Sequence, residues 1–98
     1  MKRLDMIVIS RTKSGYRIIH GKREYTPIAG APKSGIYYKI VKIAEEKLNG
    51  KEWQRAAVIP TTGTARKLIL LLYHTADYKK LAVISDLLDG RDFDVARL

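Results

Sequence analysis

The cations of the first 42 residues are the groups in this sequence with the clearest chemistry to offer. Lys2, Arg3, Arg11, Lys13, Arg17, Lys22, Arg23, Lys33, Lys39 and Lys42 face only Asp5 and Glu24 there, whereas the remaining residues set nine cations against eight anions. Almost all of the net charge of +9 therefore sits at one end. Such an imbalance repels itself and serves no fold, so it points to a polyanionic partner, of which nucleic acid is the commonest. Arg11, Lys13, Arg17, Lys22, Arg23 and Lys33 are the expected phosphate contacts. Tyr16 is the expected stacking platform, because a phenol offers a π-face that tolerates any base.

Two glycine-containing loops run into expected helix starts, Pro32-Lys33-Ser34-Gly35 and Thr61-Thr62-Gly63-Thr64. Backbone N–H groups, hydroxyls and the positive end of a helix dipole are the ingredients of an anion site, with Lys33 and Ser34 at the first loop and Arg66 and Lys67 beside the second. Ordinary capping explains the same residues, and the Gly-x-x-x-x-Gly-Lys-Ser/Thr phosphate loop does not occur. Asp86, Asp89, Asp92 and Asp94 crowd the end of an expected last helix, where negative charge opposes the macrodipole. They could hold Mg²⁺, dock on a basic surface, or form a solvated acidic turn. Of the two histidines, His20 stands among Arg17, Lys22 and Arg23, a setting that favours a neutral imidazole able to act as a base. His74 reads as the end of a buried segment.

These residues need elements to position them. Asp5–Ser10 and Tyr16–His20 read as strands joined by a turn at 11–15, and a short third strand starts at Glu24 before Pro27 limits it to an edge. Period-two alternation puts Tyr16, Ile18 and His20 on one face, with Arg17 and Ile19 on the other. A helix follows from Ile36 to about Leu48, with Tyr37, Ile40, Val41, Ala44 and Leu48 on one stripe, and Asn49-Gly50 stops it. Trp53–Ile59 reads as a strand. Thr64–Tyr73 reads as a buried helix, though a buried strand fits so short an apolar run. A further helix is expected from Thr75 or Asp77 to Leu88, then an edge strand or frayed tail from Asp92.

Ninety-eight residues suit one domain, 1–98, able to bury a core unaided. The absence of cysteine excludes disulfides and thiolate zinc sites. The chain has no apolar run long enough to span a bilayer and no credible secretory signal, so cytoplasmic residence without a membrane partner is expected. One Asn and one Gln among abundant charge point to a thermophilic source.

The expected fold is α+β: an N-terminal antiparallel hairpin or meander, a helix, a strand and two further helices in a single compact domain, with no strand order specified; one candidate is a sheet with helices on one face, its hairpin extending past the body as a basic arm. The expected function is that of a small, cofactor-free, nucleic-acid-binding protein that grips the phosphate backbone. The ribbon geometry favours duplex DNA over RNA. One alternative is a small nuclease using the aspartates with Mg²⁺, or using His20. Another is an interaction module, either a homodimer or a binder of an acidic protein.

Overall fold

A computed structural model describes residues 5–13, 15–25, 36–74 and 90–98 of the chain. Lys33, Ser34 and their glycine loop, the helix expected after Thr75, and Asp86 and Asp89 lie outside the described residues. In chain order the elements are β1 (Ile7–Thr12), β2 (Gly15–His20), β3 (Arg23–Tyr25), α1 (Ile36–Lys47), β4 (Arg55–Pro60), α2 (Gly63–His74), a 3₁₀ turn (Gly90–Asp92) and β5 (Phe93–Arg97). The class is α+β.

The described strands form one antiparallel sheet in the order β3-β2-β1-β4-β5. β1 is thus a central strand. Its Ile7 pairs with His20 on one side and Val58 on the other, and its Ile9 pairs with Ile18 and Ala56. This corrects the expectation of a hairpin projecting as an arm. Met6-Ile7-Val8-Ile9 is apolar on both faces, and a strand of that kind gains more inside a sheet than on an exposed ribbon. Residues 93–97, left open between strand and tail, are the β5 edge strand, in register with Pro60–Ala56 of β4.

Alternation then assigns the faces. Ile7, Ile9, Ile18, Ala56, Val58 and Phe93 point to one side and meet Tyr37, Ile40, Val41 and Ala44 of α1 and Leu48 just after it, with Ala65, Ile69 and Leu72 of α2. The expected stripe of α1 is the buried one, and Gly50, at φ +76°, takes the left-handed turn after it that a side chain would strain. The leucine-rich run is helix rather than strand. Its cap is Thr62: the Ala65 N–H donates to Thr62 Oγ1 at 3.1 Å, and the Arg66 N–H donates to the Thr62 carbonyl at 3.0 Å. The other sheet face carries Val8, Arg17, Ile19, Glu24, Arg55, Ala57, Ile59 and Asp94.

Full burial of an isoleucine side chain is worth roughly 1.5–3 kcal/mol, and four of the core isoleucines sit at 0% exposure in β1, β2 and α1. Ile9→Ala removes one of them from the middle of the sheet. Urea unfolding should register a loss of about 2–5 kcal/mol. A loss below about 1 kcal/mol would show that β1 does not occupy the centre of the core.

Candidate functional site

Strand polarity sorts the expected site residues into two ends of the sheet. The β1–β2 turn, with Arg11 and Lys13, lies at one end. The two-residue turn between β2 and β3, with Lys22 and Arg23, lies at the other, because His20 pairs with Arg23 across Gly21-Lys22. Six residues of strand separate them, roughly 20 Å at ~3.3 Å per residue. The hairpin cations therefore do not form one contiguous surface.

At the β1–β2 turn the groups are engaged with one another. The Arg11 guanidinium lies 4.2 Å from the centroid of the Trp53 ring, and its backbone N–H donates to the Gln54 carbonyl at 2.9 Å. Tyr16, the cross-strand partner of Arg11, stacks against the same indole at 6.3 Å and 21°. Its hydroxyl donates to Glu45 of α1. Burial, reinforced by the Glu45 hydrogen bond and charge, pushes the Tyr16 phenol above its ordinary value. Tyr16 is thus placed as a brace between sheet and helix. Nearby, Glu52, Trp53, Gln54, Arg97 and Leu98 line a shallow, open pocket of about 330 Å³, where Arg97 Nη1 donates to the Glu52 carbonyl at 3.1 Å.

Arg17 lies between the two ends on the face away from the helices. Its Nε is 2.6 Å from Glu24 Oε1, and both side chains are about half exposed. A pair so wetted contributes at most about 1 kcal/mol, and it uses the carboxylate nearest the hairpin cations.

The opposite end gathers more. α2 starts where β4 stops, Arg66 Nε pairs with Asp5 Oδ2 at 2.9 Å just ahead of β1, and Tyr73 lies over β2 and β3. The helix thus runs across the strand ends and carries Arg66 and Lys67 to the end where Lys22 and Arg23 stand. The Arg23 guanidinium sits 4.9 Å from the Tyr73 centroid. Lys22, Arg23, Arg66 and Lys67 are all exposed, Arg66 with 56% of its side chain accessible despite the ion pair. Asp92 also reaches this end, on the β5 side, where its carbonyl accepts the Thr61 N–H. Among the described residues this basic rim is the largest grouping of the expected site residues.

His20 is 0% exposed. Its Nδ1 lies 3.4 Å from the Tyr37 hydroxyl, and its ring meets the Tyr73 ring edge-on at 5.1 Å. A general base must come within hydrogen-bond reach of the proton it removes, and this imidazole is walled off by two tyrosines. His74, expected at the end of a buried segment, is exposed. Among the described residues no strand lies on the outer side of the last turn of α2, where His74 and Leu71 are exposed. Among the described residues no three His, Cys, Asp or Glu side chains are placed to hold a metal ion. No helix among them is long and apolar enough to cross a membrane.

The sequence reading did not single out Tyr73, Leu71 or the Arg11–Trp53 stack. The spacing Arg66-Leu70-Tyr73 and Lys67-Leu71-His74 carried a signal, since both triplets fall on single stripes once the segment is helical. No protein-family model matches the chain, and neither a curated protein nor a solved structure gives a match.

Tyr16 supplies a test of the brace. Its raised ionisation means that the folded state favours the neutral phenol. That contribution is intact below the ordinary value near 10 and is lost as pH climbs through the raised one. Tyr16→Phe should cost about 1 kcal/mol at neutral pH in urea unfolding. Above about pH 10 the variant should lose stability less steeply than the parent. Identical alkaline limbs for the two proteins would remove Tyr16 from that role.

Proposed function

We propose that this protein binds nucleic acid through its sugar-phosphate backbone, using the rim built by Lys22, Arg23, Arg66 and Lys67. The observation that carries the reading is convergence. Two adjacent pairs of cations, more than forty residues apart in sequence, are brought to one end of the sheet. Two pairs of like charge held side by side raise the local potential, and displacing counterions from a phosphate chain is what such a surface does well. Lys33 and Ser34 remain candidates from the sequence alone. Arg11 and Lys13, at the far end, stand outside the rim.

Duplex DNA rested on a projecting ribbon. With β1 in the centre of the sheet that ground is gone, and the proposal is one of backbone contact. At the Thr61–Thr64 loop the Thr62 hydroxyl is spent on the helix cap, and the cations beside it are Arg66 and Lys67 of α2. A nuclease acting through His20 is disfavoured by the burial of that side chain.

Fluorescence anisotropy with a labelled oligonucleotide tests the proposal. The logarithm of the affinity should fall against the logarithm of salt with a slope of about 3, from four neutralised phosphates at ~0.7–0.9 each. Lys22→Glu combined with Lys67→Glu should weaken binding at least about tenfold, whereas Lys13→Glu should change it less than about twofold. Affinity that stays flat between low and moderate salt overturns the proposal. So does a loss that follows Lys13 instead of the rim.

A further inference from the structure

The rim is not only basic. Leu71, with 45% of its surface exposed, is one of two large apolar side chains left to water among the described residues, the other being Leu98 at the far end. It falls four residues after Lys67 and three before His74, so all three share the outer stripe of α2. Beside them the half-buried Tyr73 ring has the Arg23 guanidinium over it at 4.9 Å, and the exposed His74 ring stands against it at 5.2 Å and 89°. The Arg23 guanidinium is exposed where it sits over the phenol, so a ligand can reach it. The rim thus offers a cation–π pair, an imidazole and an apolar side chain as well as its cations.

We infer that the rim takes single-stranded nucleic acid, seating unpaired bases on the Arg23–Tyr73 stack and the Leu71–His74 patch while Lys22, Arg66 and Lys67 hold the flanking phosphates. The inference rests on the backbone-binding reading of the rim and adds the strandedness of its ligand. The physical reason is access. A duplex keeps its base faces inside its own stack and can give this surface only phosphates, leaving Leu71 and the Arg23–Tyr73 pair unused. A single strand presents both charge and flat faces, and base stacking on such platforms is worth roughly 1–3 kcal/mol per base. Arg66 precedes Tyr73 by two helical turns, ~10 Å along the axis, a span that one or two nucleotides of an extended strand cover. DNA and RNA strands share the chemistry involved.

Anisotropy measurements on the full chain with four labelled probes of equal length decide the matter. The probes are oligothymidine, oligouridine, a duplex containing the oligothymidine strand, and an abasic deoxyribose strand with the same number of phosphates. Both base-bearing single strands should bind about tenfold tighter than the duplex and the abasic strand, which corresponds to one well-stacked base. A difference between the thymidine and uridine strands reports the pentose, and base-dependent binding by either supports the inference.

Leu71→Ser with His74→Ser alters exposed side chains only. It should erase the advantage over the abasic strand while leaving the salt slope unchanged. Tyr73→Leu should do the same, with its folding checked against the parent by thermal unfolding. Equal affinity for base-bearing and abasic strands, with a steep salt slope, overturns this inference and leaves backbone binding standing. Absence of salt-dependent binding by all four probes overturns both.

Discussion

β1 is hydrogen-bonded along both of its sides, to β2 and to β4, and that double pairing governs where every other group can go. Once the strand is interior, its odd-numbered isoleucines must face one layer and its even-numbered residues the other, because a one-residue slip would invert both neighbours at once. Both described helices settle on the face that carries Ile7 and Ile9. α1 packs Tyr37, Ile40, Val41 and Ala44 against it, and α2 closes the remaining end with Ala65, Ile69 and Leu72. The polarity of the central strands also separates the two turns of the meander to opposite ends. Charge that is continuous in the sequence is thereby divided in space.

That division gives the two ends different characters. At the β1–β2 turn the long side chains close on each other: Arg11 on Trp53, Trp53 beside Tyr16, Tyr16 on Glu45. Each finds its partner within the protein. At the opposite end the same device, an exposed guanidinium over an aromatic ring, recurs with Arg23 on the half-buried Tyr73 ring. Stacking removes the conformational freedom of a long arginine without consuming its hydrogen-bond donors. A cation held in that way is better prepared to meet a ligand than one waving free.

Much of the frame was legible in the residues. The alternation of Tyr16, Ile18 and His20, the stripe of α1 and its stop at Asn49-Gly50 follow from local periods and from one glycine's freedom at positive φ. The strand order was not legible, because pairings such as Ile7 with Val58 and Val58 with Val95 join distant segments and leave no local mark. The site suffered from the same gap. Adjacent cations in a hairpin read as one patch until the polarity of the strands is known, and Arg66 and Lys67 joined Lys22 and Arg23 only through the path of α2. His20 illustrates the point from the other side. Its position at a strand end among cations suggested access, while the fold placed its face inward beneath Tyr37 and Tyr73.

Holding Lys22 beside Arg23 and Arg66 beside Lys67 also has a mechanical consequence for the fold. Like charges gathered at one end repel in the native state more than in an extended chain, and Asp5 offsets only part of that repulsion. Mobile ions relieve the remainder, since at ~0.15 M the screening length of ~8 Å is shorter than the rim. On the proposed reading, the electrolyte that would strip a polyanion from this surface firms the sheet and helix beneath it. For the proposed ligand, melting temperature and affinity would then move in opposite directions as ionic strength rises.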